Sequence, residues 1–364
     1  MIKKILIVIG TRPNFIKVTQ FKKLVSKHSS FDLKIVHTGQ HYDDKMADVF
    51  FKQFELTPDY FLNIEQGSPN SQIAGIMVKL EHLINATFKP DLMIVVGDVN
   101  STLAAALTAN KMGIKLAHLE SGLRSFDNTM PEEHNRIITD KLTDVFFVTE
   151  PSGYEHLRKE GIVEERILFY GNTMIDTLVA FTDQIEESTI LEELKLQQKE
   201  FVLMTMHRPA TVDDKQGLLK LKDLIEYITK KYKIIFPIHP RTLKKLEGFG
   251  LKESLLNNSN LVLVEPLGYF AFQKLIKDSK FILTDSGGIQ EESTFVGIPC
   301  LTLRPNTERP VTVTEGTNTL VPFELEVIKS YITQIETGTY KKGTIPKFWD
   351  GKATERILEF ISKL

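Results

Sequence analysis

Short apolar runs rich in isoleucine and valine recur along the chain, each closed by glycine, aspartate or histidine. Between them lie longer stretches in which apolar positions return at helical spacing. A strand buried on both faces reads as a continuous apolar run, so this alternation predicts parallel strands joined by crossover helices. Strands are expected over residues 5–9, 33–36, 92–96, 145–148, 201–205, 234–238, 261–264 and 281–283, enough for two sheets. The segment 183–200 is charged, helical in period and free of such runs, which places a domain junction within 172–200.

The two halves also repeat one pattern. In the first, the strand LMIVVGD passes through a small polar turn into the helix LAAALTANKM, then Gly113 and the strand KLAHLES. In the second, KFILTD passes through Ser286, Gly287 and Gly288 into IQEESTFV, then Gly297 and PCLTL. Both units put polar residues where strand hands over to helix, the carboxyl edge at which open α/β sheets bind ligands. Two such edges facing one another would enclose a cleft; two independent Rossmann-like domains without a shared site are the alternative. At 364 residues the chain is long enough for two ordinary α/β domains.

Composition excludes more than it selects. A 42% hydrophobic, 25% charged chain is that of a folded, water-soluble protein. With 45 basic and 47 acidic side chains the net charge of −2 provides no long-range field for nucleic acid or an anionic membrane, so anionic ligands must be held locally. Cys300 is the only cysteine, which rules out an intrachain disulfide, leaves a cysteine-based zinc site short of ligands and points to a cytoplasmic location. The basic-then-apolar start is too short for a signal peptide and is expected to be the first strand. No apolar run reaches the roughly 18 residues needed to span a bilayer.

Candidate chemistry gathers at the strand ends. GTRPNFIK follows the first strand, and its amides with Arg12 and Lys17 can face a phosphate at a helix start; a tight turn with two exposed cations fits equally well. The stretch lacks the Gly-x-Gly-x-x-Gly fingerprint, which argues against NAD. In TDSGGIQEE, paired Gly287 and Gly288 let backbone amides approach an anion while Ser286 adds a hydroxyl, which suits a pyrophosphate. Glu292, a turn further on, can accept from a ribose diol or stand as a solvated carboxylate, and Arg309 lines the same pocket or is a surface charge. Asp98 and Glu120 end two strands, and Glu132 and Glu133 open a helix after Pro131. Carboxylates converging on one edge repel one another, and such repulsion suits acid–base work. Glu133 is read as an ordinary helix N-terminal acid. His207-Arg208 and His239 each follow a strand, without the spacing of a metal site.

GTRPNFIK, HTGQHYD, VVGDVNSTLA, HLESGLRS, MPEEHNR, GNTMID, the His-Arg pair, IHP, TDSGGIQEE and NTERP together resemble, in this order and over nearly the whole chain, the non-hydrolysing UDP-N-acetylglucosamine 2-epimerases. The resemblance implies an α/β, GT-B-like fold, with two Rossmann-like domains whose parallel sheets face a central cleft. Domains are then expected at 1–175 and 176–349, with a final helix, 350–364, returning to the first. It implies that Arg12, His207, Ser286, Gly287, Gly288 and Glu292 hold UDP, with Lys17, Arg136, His239 and Arg309 also on the substrate. Asp98, Glu120 and Glu132 match the acid–base carboxylates, with His207 beside them in catalysis. Carbon 2 would be inverted by loss of UDP, a bound 2-acetamidoglycal and re-addition, with neither NAD nor metal, in a cytoplasmic homodimer. Gln40 and His41 match part of a second, activating UDP-sugar site. Pro209 replaces an arginine of that site's other motif, which leaves activation open. Asn14, Val99, Asn100 and Val311 also depart from the commoner residues, leaving a 6-deoxy or uronic acid substrate open. The competing readings are a hydrolysing epimerase, a GT-B glycosyltransferase and a non-catalytic nucleotide-sugar binder.

Overall fold

The computed structural model describes residues 2–27, 30–40 and 51–364. The chain divides into two compact units, Met1–Ala180 with Lys347–Leu364, and Phe181–Pro346. The first carries a seven-stranded sheet of β1 (Lys3–Ile9), β2 (Phe31–His37), β3 (Tyr60–Phe61), β4 (Leu92–Val96), β5 (Lys115–Leu119), β6 (Val145–Val148) and β7 (Ile167–Phe169), in the order β3-β2-β1-β4-β5-β6-β7. The second carries six strands, β8 (Phe201–Thr205), β9 (Lys233–Pro237), β10 (Leu261–Val264), β11 (Phe281–Thr284), β12 (Cys300–Thr302) and β13 (Asn318–Leu320), in the order β10-β9-β8-β11-β12-β13. Every pairing is parallel. The α/β class with two Rossmann-like parallel sheets is therefore the fold the chain adopts.

The windings match over six strands, with β7 as an extra edge strand in the first sheet. The order reverses between β1 and β4 in the first sheet and between β8 and β11 in the second. At such a switch point the crossover helices leave to opposite faces, and the gap at the strands' carboxyl ends takes ligands. Strands β1 and β4 explain their own position: Ile5, Leu6, Ile7, Ile9, Met93, Ile94, Val95 and Val96 are all 0% exposed, which only a sheet covered on both faces allows. The strands that the pattern did not announce are β3, β7 and β13, of two or three residues at the sheet edges. The charged segment expected to be one helical stretch is instead broken into Thr182–Glu186 and Ile190–Glu193, with Lys195 and Lys199 at positive φ ending the helical path.

The C-terminal helix Ala353–Lys363 packs on the first unit through Ile357, Leu358 and Ile361, all nearly inaccessible. Burial of such side chains is worth about 1.5–3 kcal/mol each. Asp176 caps this helix by accepting from the amides of Ala353 (3.0 Å) and Thr354 (2.6 Å). Trp349, 1% exposed, donates its indole N–H to the Thr149 carbonyl at 3.1 Å. The segment comes so close to Gly171, at φ +92°, that a Cβ there would lie 2.0 Å from the Phe348 carbonyl oxygen. Cys300 lies in the second unit's core, and burial raises its thiol pKa to about 11. Among the described residues no helix is long and apolar enough to cross a membrane, and no group of three His, Cys, Asp or Glu is placed to hold a metal.

Candidate active site

In the first unit the polar residues collect where β1, β4 and β5 end. Glu120, one residue past β5, is 6% exposed and has φ +72°. For a non-glycine residue that conformation costs on the order of 1 kcal/mol or more and persists only where its surroundings enforce it. Its amide is held by the Phe147 carbonyl at 3.0 Å, and its carboxylate meets the Lys17 ammonium, itself 8% exposed. Lys17 therefore serves Glu120 in this structure. Removing one partner of a buried pair typically costs about 3–5 kcal/mol, because the other charge is left behind without compensation. Asn14 stitches the adjoining ends together, accepting from the Gly10 amide at 3.3 Å and donating to the Val96 carbonyl at 3.1 Å.

Asp98 follows β4 and is gripped on one oxygen by Arg136, through Nε at 3.0 Å and Nη2 at 2.6 Å. The supporting helix, Pro131–Leu142, turns a polar face inward: Glu133, Asn135, Arg136, Thr139 and Asp140 are buried on it. Asn135 donates to the Asp98 carbonyl at 2.9 Å, while Asp140 contacts the His118 ring at 2.7 Å and Arg124 at 2.7 Å. The other ring nitrogen of His118 lies 2.8 Å from the Gly97 carbonyl. Burial works against the Asp140 charge, but His118 and Arg124 outweigh it and hold its pKa below the usual range. The Gly97-Asp98 turn is thus fixed from three directions. Glu132 is exposed on the first turn of the same helix, next to buried Glu133. Arg12 is half-buried at the start of the helix Arg12–Ile16.

Gln40 is 6% exposed, and its side-chain oxygen accepts from the Ser101 amide (2.9 Å) and hydroxyl (2.7 Å), capping the helix Asn100–Met112 from a distant strand end. His41 lies outside the described residues.

The second unit builds its edge at β8 and β11. Asp285, 0% exposed, accepts from the amides of His207 (3.0 Å) and Arg208 (2.9 Å) and lies 2.9 Å from His207 Nδ1. Burial raises its pKa, but the His207 hydrogen bond and charge and the two amides reverse the balance and lower it. An ionised carboxylate at Nδ1 fixes the imidazole so that Nε2 is the nitrogen available to a ligand. The His239 ring lies 5.7 Å from that of His207, its Nδ1 accepting from the Arg241 amide at 3.1 Å. Burial, then His207 and Arg241, lower the His239 pKa.

Ser286 precedes the helix Gly287–Val296, and its hydroxyl does not cap it. The first amides of any helix lack intrahelical acceptors, so those of Gly287 and Gly288 are donors suited to an anion. Arg309 lies alongside: a Cβ on Gly287 would be 2.8 Å from its Nη1. Two buried carboxylates hold that guanidinium, Glu291 at 2.5 Å from Nε and Glu308 at 3.6 Å from Nη1, and Glu308 also accepts from Arg304 at 3.1 Å through both oxygens. Glu292 is 5% exposed and accepts from Gln273 at 2.5 Å, so it is a buried carboxylate rather than a solvated one.

The structure brings Asp98 to Arg136 and Glu120 to Lys17, and gathers His207, His239, Ser286, Gly287, Gly288 and Arg309 around β8 and β11. Reading the sequence passed over Glu133, which anchors Arg136, and gave no role to Asp285, Glu291, Gln273 or His118. Only Asp285 carried a signal, as an acid at a strand end beside the Ser-Gly-Gly turn.

The chain matches the UDP-N-acetylglucosamine 2-epimerase family model over residues 23–362. A UDP-N-acetylglucosamine 2-epimerase homolog from Methanococcus maripaludis is 41% identical, over 99% of this chain and 100% of its own. A UDP-2,3-diacetamido-2,3-dideoxy-D-glucuronate 2-epimerase from Pseudomonas aeruginosa is 35% identical, over 99% of this chain and 100% of its own. Among solved structures, the Methanocaldococcus jannaschii UDP-GlcNAc 2-epimerase in complex with UDP-GlcNAc and UDP superposes with a TM-score of 0.90 at 38% identity, covering 99% of this chain and 100% of that one. With the family match running from before β2 to the final helix, and both sheet edges carrying the motifs that pointed to it, the chain belongs to the UDP-N-acetylglucosamine 2-epimerase family.

Proposed function

We propose that this protein interconverts UDP-N-acetylglucosamine and UDP-N-acetylmannosamine, or a closely related UDP-2-acetamido sugar, by eliminating and re-adding UDP. The observation that carries the reading is the division of labour between the edges. One offers two carboxylates, Asp98 and Glu120, each paired with a buried cation. The other offers a glycine-rich helix start flanked by His207 and Arg309.

The chemistry explains why carboxylates suffice. The hydrogen on carbon 2 lies beside an acetamido group, not a carbonyl, so direct removal needs a far stronger base than a side chain. When the bond from carbon 1 to the phosphate oxygen breaks, the electron pair leaves with UDP and carbon 1 gains oxocarbenium character. The neighbouring hydrogen is then acidic enough for a carboxylate to take, and a carbon 1 to carbon 2 double bond forms. A proton returns to the opposite face, the UDP oxygen re-adds to carbon 1, and the epimer results. In this reading the amides of Gly287 and Gly288, the Ser286 hydroxyl, His207, His239, Arg12 and Arg309 stabilise the charge on departing UDP, the largest assistance preorganised donors can give. Glu292 takes the ribose, and Asp98 and Glu120, with Glu132 as the third acid, move the proton. Lys17 and Arg136 keep the first two carboxylates in place. The Gln40 geometry favours a structural use of that residue over a contact with an activating ligand. We also propose that the protein is a cytoplasmic homodimer; light scattering checks the dimer, where a monomer mass would overturn it.

The test is turnover in deuterated water followed by proton NMR, over UDP-2-acetamido hexoses that include 6-deoxy and uronic acid forms. The recovered nucleotide sugar is expected to carry deuterium at carbon 2, and Asp98→Asn to stop exchange by at least about 100-fold, in the range of a general base, with UDP binding intact. Release of free hexosamine would make it a hydrolysing enzyme, and exchange that survives in Asp98→Asn would remove that residue from the chemistry.

A further inference from the structure

Glu133 is 1% exposed, and its carboxylate is fully engaged. It accepts from the Ser125 amide and hydroxyl, both at 2.9 Å, from the Phe126 amide at 3.0 Å and from Arg136 Nη1 at 2.5 Å. Burial opposes its charge, but these donors prevail and its pKa lies below the ordinary range. Arg136 is itself 4% exposed, and the rest of its fork is the part that grips Asp98.

An arginine side chain carries about 2 kcal/mol of rotamer entropy, so one guanidinium edge aimed at a single carboxylate oxygen needs something to hold the other edge. Glu133, three residues earlier on the same helix, does so. The same carboxylate holds Phe126 in a conformation its side chain disfavours, φ +58° with the ring 74% exposed. Residues 121–130 run from Glu120 to the helix Pro131–Leu142, whose first turn carries Glu132, and Glu133 ties the middle of that run to the helix. One buried group therefore joins the segments that bear all three acid–base candidates.

We propose that Glu133 is the positioning residue of the carboxylate edge, acting through Arg136 on Asp98 and fixing the 125–126 turn. The proposal rests on the reading that Asp98 handles the carbon 2 proton. Glu133→Gln keeps the size and one acceptor oxygen but loses the charge and the second acceptor.

The experiment compares the whole enzyme with Glu133→Gln, Arg136→Lys, the double variant and Asp98→Asn. Deuterium exchange at carbon 2 is measured as kcat and KM with UDP-N-acetylglucosamine, and UDP affinity by calorimetry. Glu133→Gln is expected to lower kcat at least thirtyfold, with KM within threefold and UDP affinity within twofold. The double variant should fall no more than threefold below the weaker single one, because residues acting in one chain do not add. A kcat within threefold of the parent, a loss confined to KM, or losses that multiply in the double variant would each overturn the proposal. Exchange persisting in Asp98→Asn would instead sink the underlying reading, and it is scored separately. If Glu133→Gln fails to fold, Ser125→Ala removes only the hydroxyl donor to the same carboxylate. It should lower kcat severalfold at constant KM, and an unchanged kcat would count against Glu133.

Discussion

Asp285 illustrates how one side chain sets the behaviour of its neighbours. It is buried, yet His207 and two backbone amides hold it ionised below the ordinary carboxylate range. A carboxylate with a depressed native pKa contributes stability that is complete above its unfolded value, near about 4, and is lost as the pH falls through the native value. Asp285→Asn should therefore destabilise the protein by about 2 kcal/mol or more at pH 7, since hydrogen bonds to a charged group are worth about 1.5–3 kcal/mol each. The gap to the parent should close as the pH is lowered below about 4. Urea midpoints followed from pH 7 to pH 2 give the answer, and a gap that stays constant would mean the carboxylate is not held down. The candidate site was legible at this scale where a residue type sits at a strand end: Asp98, Glu120, His207 and the Ser286 turn stand out in one dimension. Their partners do not. Glu133 looks like any acid in a first helical turn, and only the meeting of that helix with the 125–126 turn makes it an anchor. Gln40 shows the reverse, a motif residue whose side chain is taken up in capping a helix through Ser101, 61 positions away.

At the scale of elements, Pro131–Leu142 breaks the usual rule for a packed helix, because its buried face is largely polar. Glu133, Asn135, Arg136 and Asp140 each find a partner outside the helix, so the face works as a connector where an apolar face would serve only as filler. The long central strands were legible because double-sided burial demands unbroken apolar runs. The edge strands β3, β7 and β13 were not, since two or three residues held on one side need no such run. The last helix depends on a close approach rather than on its own length. Gly171→Ala would drive a methyl into the Phe348 carbonyl at a backbone angle alanine resists. It should cost at least about 2 kcal/mol and loosen residues 347–364. Trp349 is the single tryptophan and is buried, so a red shift of its emission reports that loosening, and an unshifted spectrum would show the approach is not needed.

For the whole molecule, the two sheets share one winding over six strands, and Asp98 in the first unit and the Ser286 turn in the second each follow the strand just past the reversal. That duplication was visible in the sequence as a repeated strand, polar turn and helix. The lone thiol adds a different use. Cys300 is sealed inside the second unit and resists ionisation, and only its thiolate reacts readily with alkylating reagents. Native protein offered a maleimide should stay unlabelled until that unit opens, so the rate of modification becomes a clock for its opening alone. Saturating UDP ought to slow the clock if the nucleotide rests on that unit, and a rate indifferent to UDP would place it elsewhere. The same silence leaves a clean background for a reporter cysteine engineered anywhere on the surface.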